Sequence, residues 1–236
     1  MSGSVKQPLV LLPGLLCDAR LWEPQREALE QHADLWIADL TRDADMPGMA
    51  RRVLAEAPFE RFALGALSMG GYAALEIMRQ APQRVTRLAL LDTQARADTD
   101  EARERRLALI ELADKGRFLG VTDRLLPVLL HTSRLGDARL TDLVKDMARS
   151  VGPDAFLRQQ TAIMNRVDSR PALAAIACPT LVLCGEQDML TPLDRHQELA
   201  TGIPGARLVV VPACGHLATL ERPQEVNRAL LAWLNG

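Results

Sequence analysis

The chain has 236 residues, 48% apolar and 25% charged, which suits one large globular domain or a core domain with an insertion and calls for no disulfide or metal staple. A net charge of −2 with both signs interspersed argues against nucleic acid or anionic lipid as a partner, and no apolar stretch is long enough to span a bilayer. Aromatic residues are only 3%, so the core must be Leu, Val, Ile and Ala, and a site of stacked rings is not expected.

The first residues, M-S-G-S-V-K-Q-P, carry no signal-peptide pattern. The strand-like run P-L-V-L-L-P-G (8–14) follows, then helical spacing over 22–32 and a second run, L-W-I-A-D (35–39). A short helix over 49–57 stops before Pro58. The run F-A-L-G-A-L-S (62–68) leads into a helix over 71–80 that stops before Pro82, and V-T-R-L-A-L-L-D (85–92) is the fourth run. From about 96 to 171 no strand-like run occurs. Segments 100–115, 118–131, 137–150 and 153–167 read as helices; Pro127 is expected to kink or end the second, and Leu140, Leu143, Val144 and Met147 form an apolar stripe. The rhythm returns with T-L-V-L-C-G (180–185), a helix over 192–200, R-L-V-V-V-P (207–212) and a helix over 223–234.

Most of these runs are continuous rather than alternating, as strands buried on both faces are. The expectation is an α/β fold, a mostly parallel sheet of about six strands with helices on both faces. Residues 1–95 and 172–236 would form the core, with 96–171 inserted as a helical lid over the strand C-termini, where open α/β sheets bind ligands. The alternative for 96–171 is a helical subdomain with no part in access. Cys17, Cys178, Cys184 and Cys214 have no metal spacing. Cys178 and Cys184 on one extended segment would lie roughly 20 Å apart at about 3.3 Å per residue, beyond disulfide reach. Reduced thiols in a cytoplasm are expected.

Ser68 stands between a strand and a helix with small residues two before and two after it, Ala66 and Gly70, close to the G-x-S-x-G pattern of an exposed nucleophile on a tight turn. The competing reading is a serine N-cap. A serine hydroxyl needs an imidazole to take its proton and an acid to orient that imidazole. Of the four histidines, His32 and His196 fall on amphipathic helices and are expected in solvent, and His131 lies at a helix end in the insertion. His216, in A-C-G-H-L beyond the last strand, is the candidate base. Asp188 and Asp92 both follow strands and both keep the order Ser, Asp, His; Asp188 is preferred, with Asp92 read as a cap or strand-end bond. Backbone N–H groups of Met69 and of Leu15, after Gly14 in L-L-P-G-L-L-C-D, could hold an oxyanion.

The stretches L-V-L-L-P-G-L-L-C-D-A-R-L-W, A-L-S-M-G-G-Y-A-A-L, I-A-C-P-T-L-V-L-C-G-E-Q-D and G-H-L-A-T-L-E-R-P-Q-E-V-N-R-A-L-L-A-W-L resemble the α/β-hydrolase superfamily, and the likeness covers nearly everything outside the insertion. The resemblance implies Ser68 as nucleophile, Asp188 as acid, His216 as base, Leu15 and Met69 as oxyanion donors, and no cofactor or metal. Three departures stand out. Pro13 occupies the place where many members carry histidine, D-L-T-R-D replaces a D-L-P-G-x-G turn, and the chain starts at the first parallel strand without an extra hairpin. The insertion resembles the caps of small bacterial carboxylesterases. The function so implied is hydrolysis of carboxylic esters or thioesters, with a small-molecule acyl substrate and a monomer or homodimer as the assembly. Leu16, Leu126, Met164 and Leu217 are the expected pocket residues. The alternatives are a C–C bond hydrolase of diketone-type substrates, a ligand sensor on the same fold and, less favoured, an acyltransferase or perhydrolase.

Overall fold

The structure is a computed structural model describing residues 6–236. Six strands form one sheet: β1 (Gln7–Leu12), β2 (Ala33–Ile37), β3 (Phe62–Leu67), β4 (Val85–Leu91), β5 (Thr180–Gly185) and β6 (Arg207–Val211). Their order across the sheet is β2-β1-β3-β4-β5-β6, and every pair is parallel. The apolar runs are continuous because both sheet faces are covered. In β1, Leu9 and Leu11 join one buried cluster while Val10 and Leu12 join the other.

The helices supply the covers. Leu29 of α1 (Glu23–Glu30) packs in the cluster of Leu9 and Leu11. Met49 and Val53 of α2 (Met46–Glu56) and Ile77 of α3 (Met69–Gln80) pack in the cluster of Val10 and Leu12. Between β4 and β5 come α4 (Asp100–Asp114), a single turn α5 (Leu126–Leu129) and the long α6 (Ala138–Met164), with no strand among them. After β5, Leu199 of α7 (Leu193–Gly202) joins α2 and α3 on their face. The short α8 (Ala218–Glu221) and α9 (Pro223–Asn235) close the other, where Val226, Leu230 and Trp233 form the expected buried stripe. Burying one such side chain contributes about 1.5–3 kcal/mol.

Two helical expectations need correction. Residues 118–131 form only the turn α5; Gly120 adopts a left-handed φ of 59°, and Pro127 starts the turn instead of ending a helix. The helix expected over 49–57 begins a turn earlier, because the Asp45 carboxylate accepts from the Gly48 N–H at 2.7 Å and Pro47 fits the first turn, where its missing N–H costs nothing. The break expected near 150 is present: Gly152, at φ 76° and ψ 175°, divides α6 into two helices. All four cysteines are unpaired. Among the described residues no helix is long and apolar enough to cross a membrane.

The order of connection reverses between β1 and β3, since β2 lies to one side of β1 and β3 to the other. Such a switch point opens a crevice beyond the strand C-termini. The residues leaving β1 and β3 are the loop of Gly14 and Leu15 and the turn of Ser68.

Candidate active site

Ser68 takes φ 54° and ψ −115°, a conformation that disfavours every side chain but glycine and so stores strain at this turn. The backbone is fixed on both sides. Its N–H donates to the Leu91 carbonyl at 3.0 Å, and its carbonyl accepts from the Gly71 N–H and the Thr93 hydroxyl, each at 2.8 Å. The side chain makes no capping bond to α3. Instead Ser68 Oγ lies 2.9 Å from His216 Nε2.

The small residues around the turn have a steric cause. A Cβ at Gly70 would stand 2.5 Å from the Leu12 carbonyl oxygen and 2.8 Å from that of Pro13. The first loop therefore rests on the Gly70 backbone, which sets Leu15 beside Ser68. Gly70→Ala is expected to cost about 1–3 kcal/mol of stability by overpacking, and to lower activity more than stability alone accounts for, because the loop must move. Thermal denaturation and steady-state rates on one preparation test both.

His216 Nδ1 lies 2.9 Å from both Asp188 oxygens. With Nδ1–H donating there, Nε2 is left to accept from the serine hydroxyl. Asp188 is itself held by the N–H groups of Leu190 and Thr191, at 2.8 and 3.0 Å, and by the Thr191 hydroxyl at 2.6 Å. Burial works to raise the Asp188 pKa, but the His216 charge and these hydrogen bonds outweigh it and hold the carboxyl below its ordinary value. Burial likewise opposes a charge on His216, and the facing Asp188 outweighs it, so the imidazole titrates above its ordinary value.

A buried acid clamps the His216 loop. Glu221 is buried; its Oε1 accepts from the Gly215 and Leu217 N–H groups at 3.0 and 3.3 Å, and its Oε2 accepts from the His131 N–H at 2.7 Å. The His216 N–H donates to the Leu129 carbonyl at 3.0 Å. One carboxylate thus ties the His216 loop to the insertion. An acid five residues beyond the histidine, in G-H-L-A-T-L-E, was the available signal.

Leu16 has φ 59°, and its N–H donates at 3.1 Å to Oε1 of the fully buried Gln159, whose Nε2 donates to the Leu40 carbonyl. Gln159 therefore fixes the first loop from the insertion. The Leu15 and Met69 N–H groups donate to no other group among the described residues. A polar residue on the apolar stripe of Phe156 and Ile163 was the sign of Gln159 in the sequence.

Ser68 and His216 open onto a cavity of about 310 Å³. Leu15, Leu16 and Leu217 line it from the sheet side, and Leu125, Val128 and Phe156 from the insertion. Leu126 and Met164 do not line it. Leu126 turns into the core cluster of Leu91 and Leu183, and its neighbours in α5 face the cavity instead. On α6 it is Ile163 that lines the wall, and a step of one residue rotates Met164 away by about 100°.

His196 corrects another expectation: it is fully buried, not solvated. Its Nε2 accepts from the Thr93 N–H at 3.0 Å, and burial lowers its pKa to about 4. Between the unfolded value near 6.5 and about 4 the unfolded chain binds the extra proton, so stability falls as pH falls, by about 3 kcal/mol once pH reaches 4. His196→Gln, which keeps an acceptor for Thr93, is expected to flatten the denaturant-measured stability across that window. His32 is exposed, as expected, and His131 Nδ1 pairs with Ser133. Asp92 accepts from the N–H groups of Gly185 and Ala218 at 2.9 and 3.1 Å, a strand-end role; burial and then the Asp188 charge push its pKa well up. Asp92, Asp188 and His196 bring metal-ligating atom types within 4.8 Å of one another. Each of those carboxylate oxygens, and His196 Nε2, already accepts a protein hydrogen bond.

The family model described as "alpha/beta hydrolase fold" matches residues 7–223. A protein of Serratia proteamaculans named for carbamate hydrolysis is 28% identical over 247 residues, covering 96% of this chain and 90% of that protein. A pimeloyl-[acyl-carrier protein] methyl ester esterase of Nitrosomonas europaea is 27% identical over 230 residues, 92% of this chain and 91% of that one. The solved structure of a thermophilic esterase from Thermogutta terrifontis, with malate bound, superposes with a TM-score of 0.88 at 29% identity, over 98% of this chain and 90% of that chain.

Proposed function

The chain belongs to the alpha/beta hydrolase fold family, and from that premise we propose that it is a serine hydrolase cleaving carboxylic esters or thioesters of a small-molecule acyl substrate. The observation that carries this reading is the unbroken hydrogen-bond line from Ser68 Oγ through His216 to Asp188, opening on a largely apolar cavity. The relatives named for ester hydrolysis support it.

In this mechanism His216 Nε2 takes the Ser68 proton as Oγ attacks the acyl carbon. The Leu15 and Met69 N–H groups, unused within the fold, stabilise the oxyanion as charge develops. His216 returns the proton to the departing oxygen or sulfur, leaving the acyl group on Ser68. Water enters and loses a proton to His216 as it attacks, and Ser68 departs with that proton, releasing the acid. Asp188 holds the ring orientation and stabilises the imidazolium throughout. Residues 96–171 act as a lid, roofing the cavity with apolar side chains that exclude water from the acyl group. Ala148 and Phe156 of α6 pack beside Leu16, which ties the lid to the oxyanion loop.

A p-nitrophenyl ester series from acetate to laurate tests the reading. Turnover well above the uncatalysed rate, with one preferred chain length set by the cavity, is expected. Rates equal to buffer on every ester would overturn it.

A further inference from the structure

The cavity is apolar around Ser68, but one part of its wall is not. Arg106 of α4 and Gln160 of α6 both line it, far apart in sequence and bonded to each other. Arg106 Nε donates to Asp98 Oδ2 at 2.6 Å, and its Nη1 donates to Gln160 Oε1 at 2.6 Å. That bond turns the amide oxygen toward Arg106 and the NH₂ away from it. Gln160 Nε2 and Arg106 Nη2 have no partner among the described residues, although Gln160 is 2% exposed.

The charge here does not balance. Asp98, whose side chain is 4% exposed, is the carboxylate for two guanidinium groups: Arg106, and Arg166 at 2.6 Å on its other oxygen. Arg166 in turn covers the ring of Tyr72 at 4.3 Å, and Tyr72 lines the same cavity. Two cations against one anion leave one positive charge behind the wall. Donors with a surplus positive charge bond most strongly to acceptors that carry negative charge.

We infer that Arg106 and Gln160 form a subsite for a carboxylate carried by the substrate at a distance from the scissile bond. A carboxylate supplies two coplanar acceptor oxygens for the Arg106 and Gln160 donors and neutralises the single surplus charge. The apolar wall between this subsite and Ser68 takes the connecting methylenes. The inference rests on the hydrolase reading for the position of the scissile carbonyl at Ser68, but binding at the subsite does not require turnover.

The test pairs monomethyl esters of dicarboxylic acids, from succinate to suberate, with the methyl esters of the matching monoamides, which keep the shape and lose the charge. At the best chain length kcat/KM for the acid is expected to exceed that for the amide by roughly tenfold or more, the usual reach of a charge-assisted pair. Calorimetric binding of the same pair to Ser68→Ala protein is expected to show the same preference. The acid-to-amide ratio should fall toward one in Arg106→Gln and fall partway in Gln160→Met, a second route should the first variant fold poorly. Ser68-dependent turnover with a ratio near one at every length would overturn the inference and leave the hydrolase reading standing. A ratio that survives both substitutions would overturn it as well. Arg106-dependent binding preference without turnover would support the subsite and overturn the hydrolase reading, and neither binding nor turnover would overturn both.

Discussion

Ser68→Ala is expected to lower kcat on any ester substrate by roughly 10⁶-fold, with a melting temperature close to that of the wild type. The two halves of this expectation have separate causes. Among the described residues Ser68 Oγ makes one hydrogen bond, to His216 Nε2, so its removal takes away the proposed nucleophile and little packing. The strained backbone is held by bonds from the Ser68 N–H and carbonyl, which alanine retains. Alanine also pays the same conformational cost at φ 54°, so no strain is relieved. Activity in the variant above the uncatalysed rate would come from the oxyanion donors and substrate positioning alone, about 10³-fold. Steady-state rates and a melting curve on the same preparation check both halves. A loss of less than about a hundredfold would mean that the acyl group is not carried on this oxygen.

Asp188→Asn is expected to lower kcat by about 10⁴-fold. Asparagine can still accept from the Leu190 and Thr191 N–H groups through its one carbonyl oxygen. Its NH₂ then faces His216 Nδ1, where the native carboxylate accepts a proton at 2.9 Å. An N–H facing Nδ1 makes Nδ1 the acceptor and puts the ring proton on Nε2, which can no longer take the proton of Ser68. The pH profile provides an independent readout. In the proposed mechanism the active imidazole is neutral, so wild-type kcat/KM is expected to rise with pH through a His216 pKa lying above the ordinary 6.5. Without the Asp188 charge that pKa drops, and the acid limb should move to lower pH. An acid limb that stayed in place would assign it to another group.

The sheet was legible because buried parallel strands leave a signal in each segment separately. T-L-V-L-C-G ends on Gly185 in the sequence and in the fold, and the other apolar runs lie within two residues of their strands. Ser68, Asp188 and His216 were legible for a related reason: each follows a strand, and the parallel topology gathers strand C-termini on one edge. The expectations that failed needed the partner of a segment. The spacing of α7 marks one apolar face, and His196, three residues before the fully buried Leu199, shares it. Residues 118–131 are rich in leucine and valine, but Gly120 in the left-handed region and Pro127 prevent one continuous helix. Leu126 and Met164 differ from cavity-lining neighbours by one step around a helix, which depends on how the insertion docks. Gln159, Glu221 and Arg106 act through bonds to Leu16, to His131 and to Gln160, and a single segment does not encode such pairings.

In the proposed mechanism Ser68 forms a covalent bond to the acyl carbon. Intact-mass spectrometry after treatment with an alkyl fluorophosphonate, on wild type and Ser68→Ala side by side, tests it most directly. A single adduct on the wild-type protein, mapped by peptide analysis to Ser68, and none on the variant is the expected result. An unlabelled wild type that still hydrolyses esters, or an adduct that persists on Ser68→Ala, would contradict it.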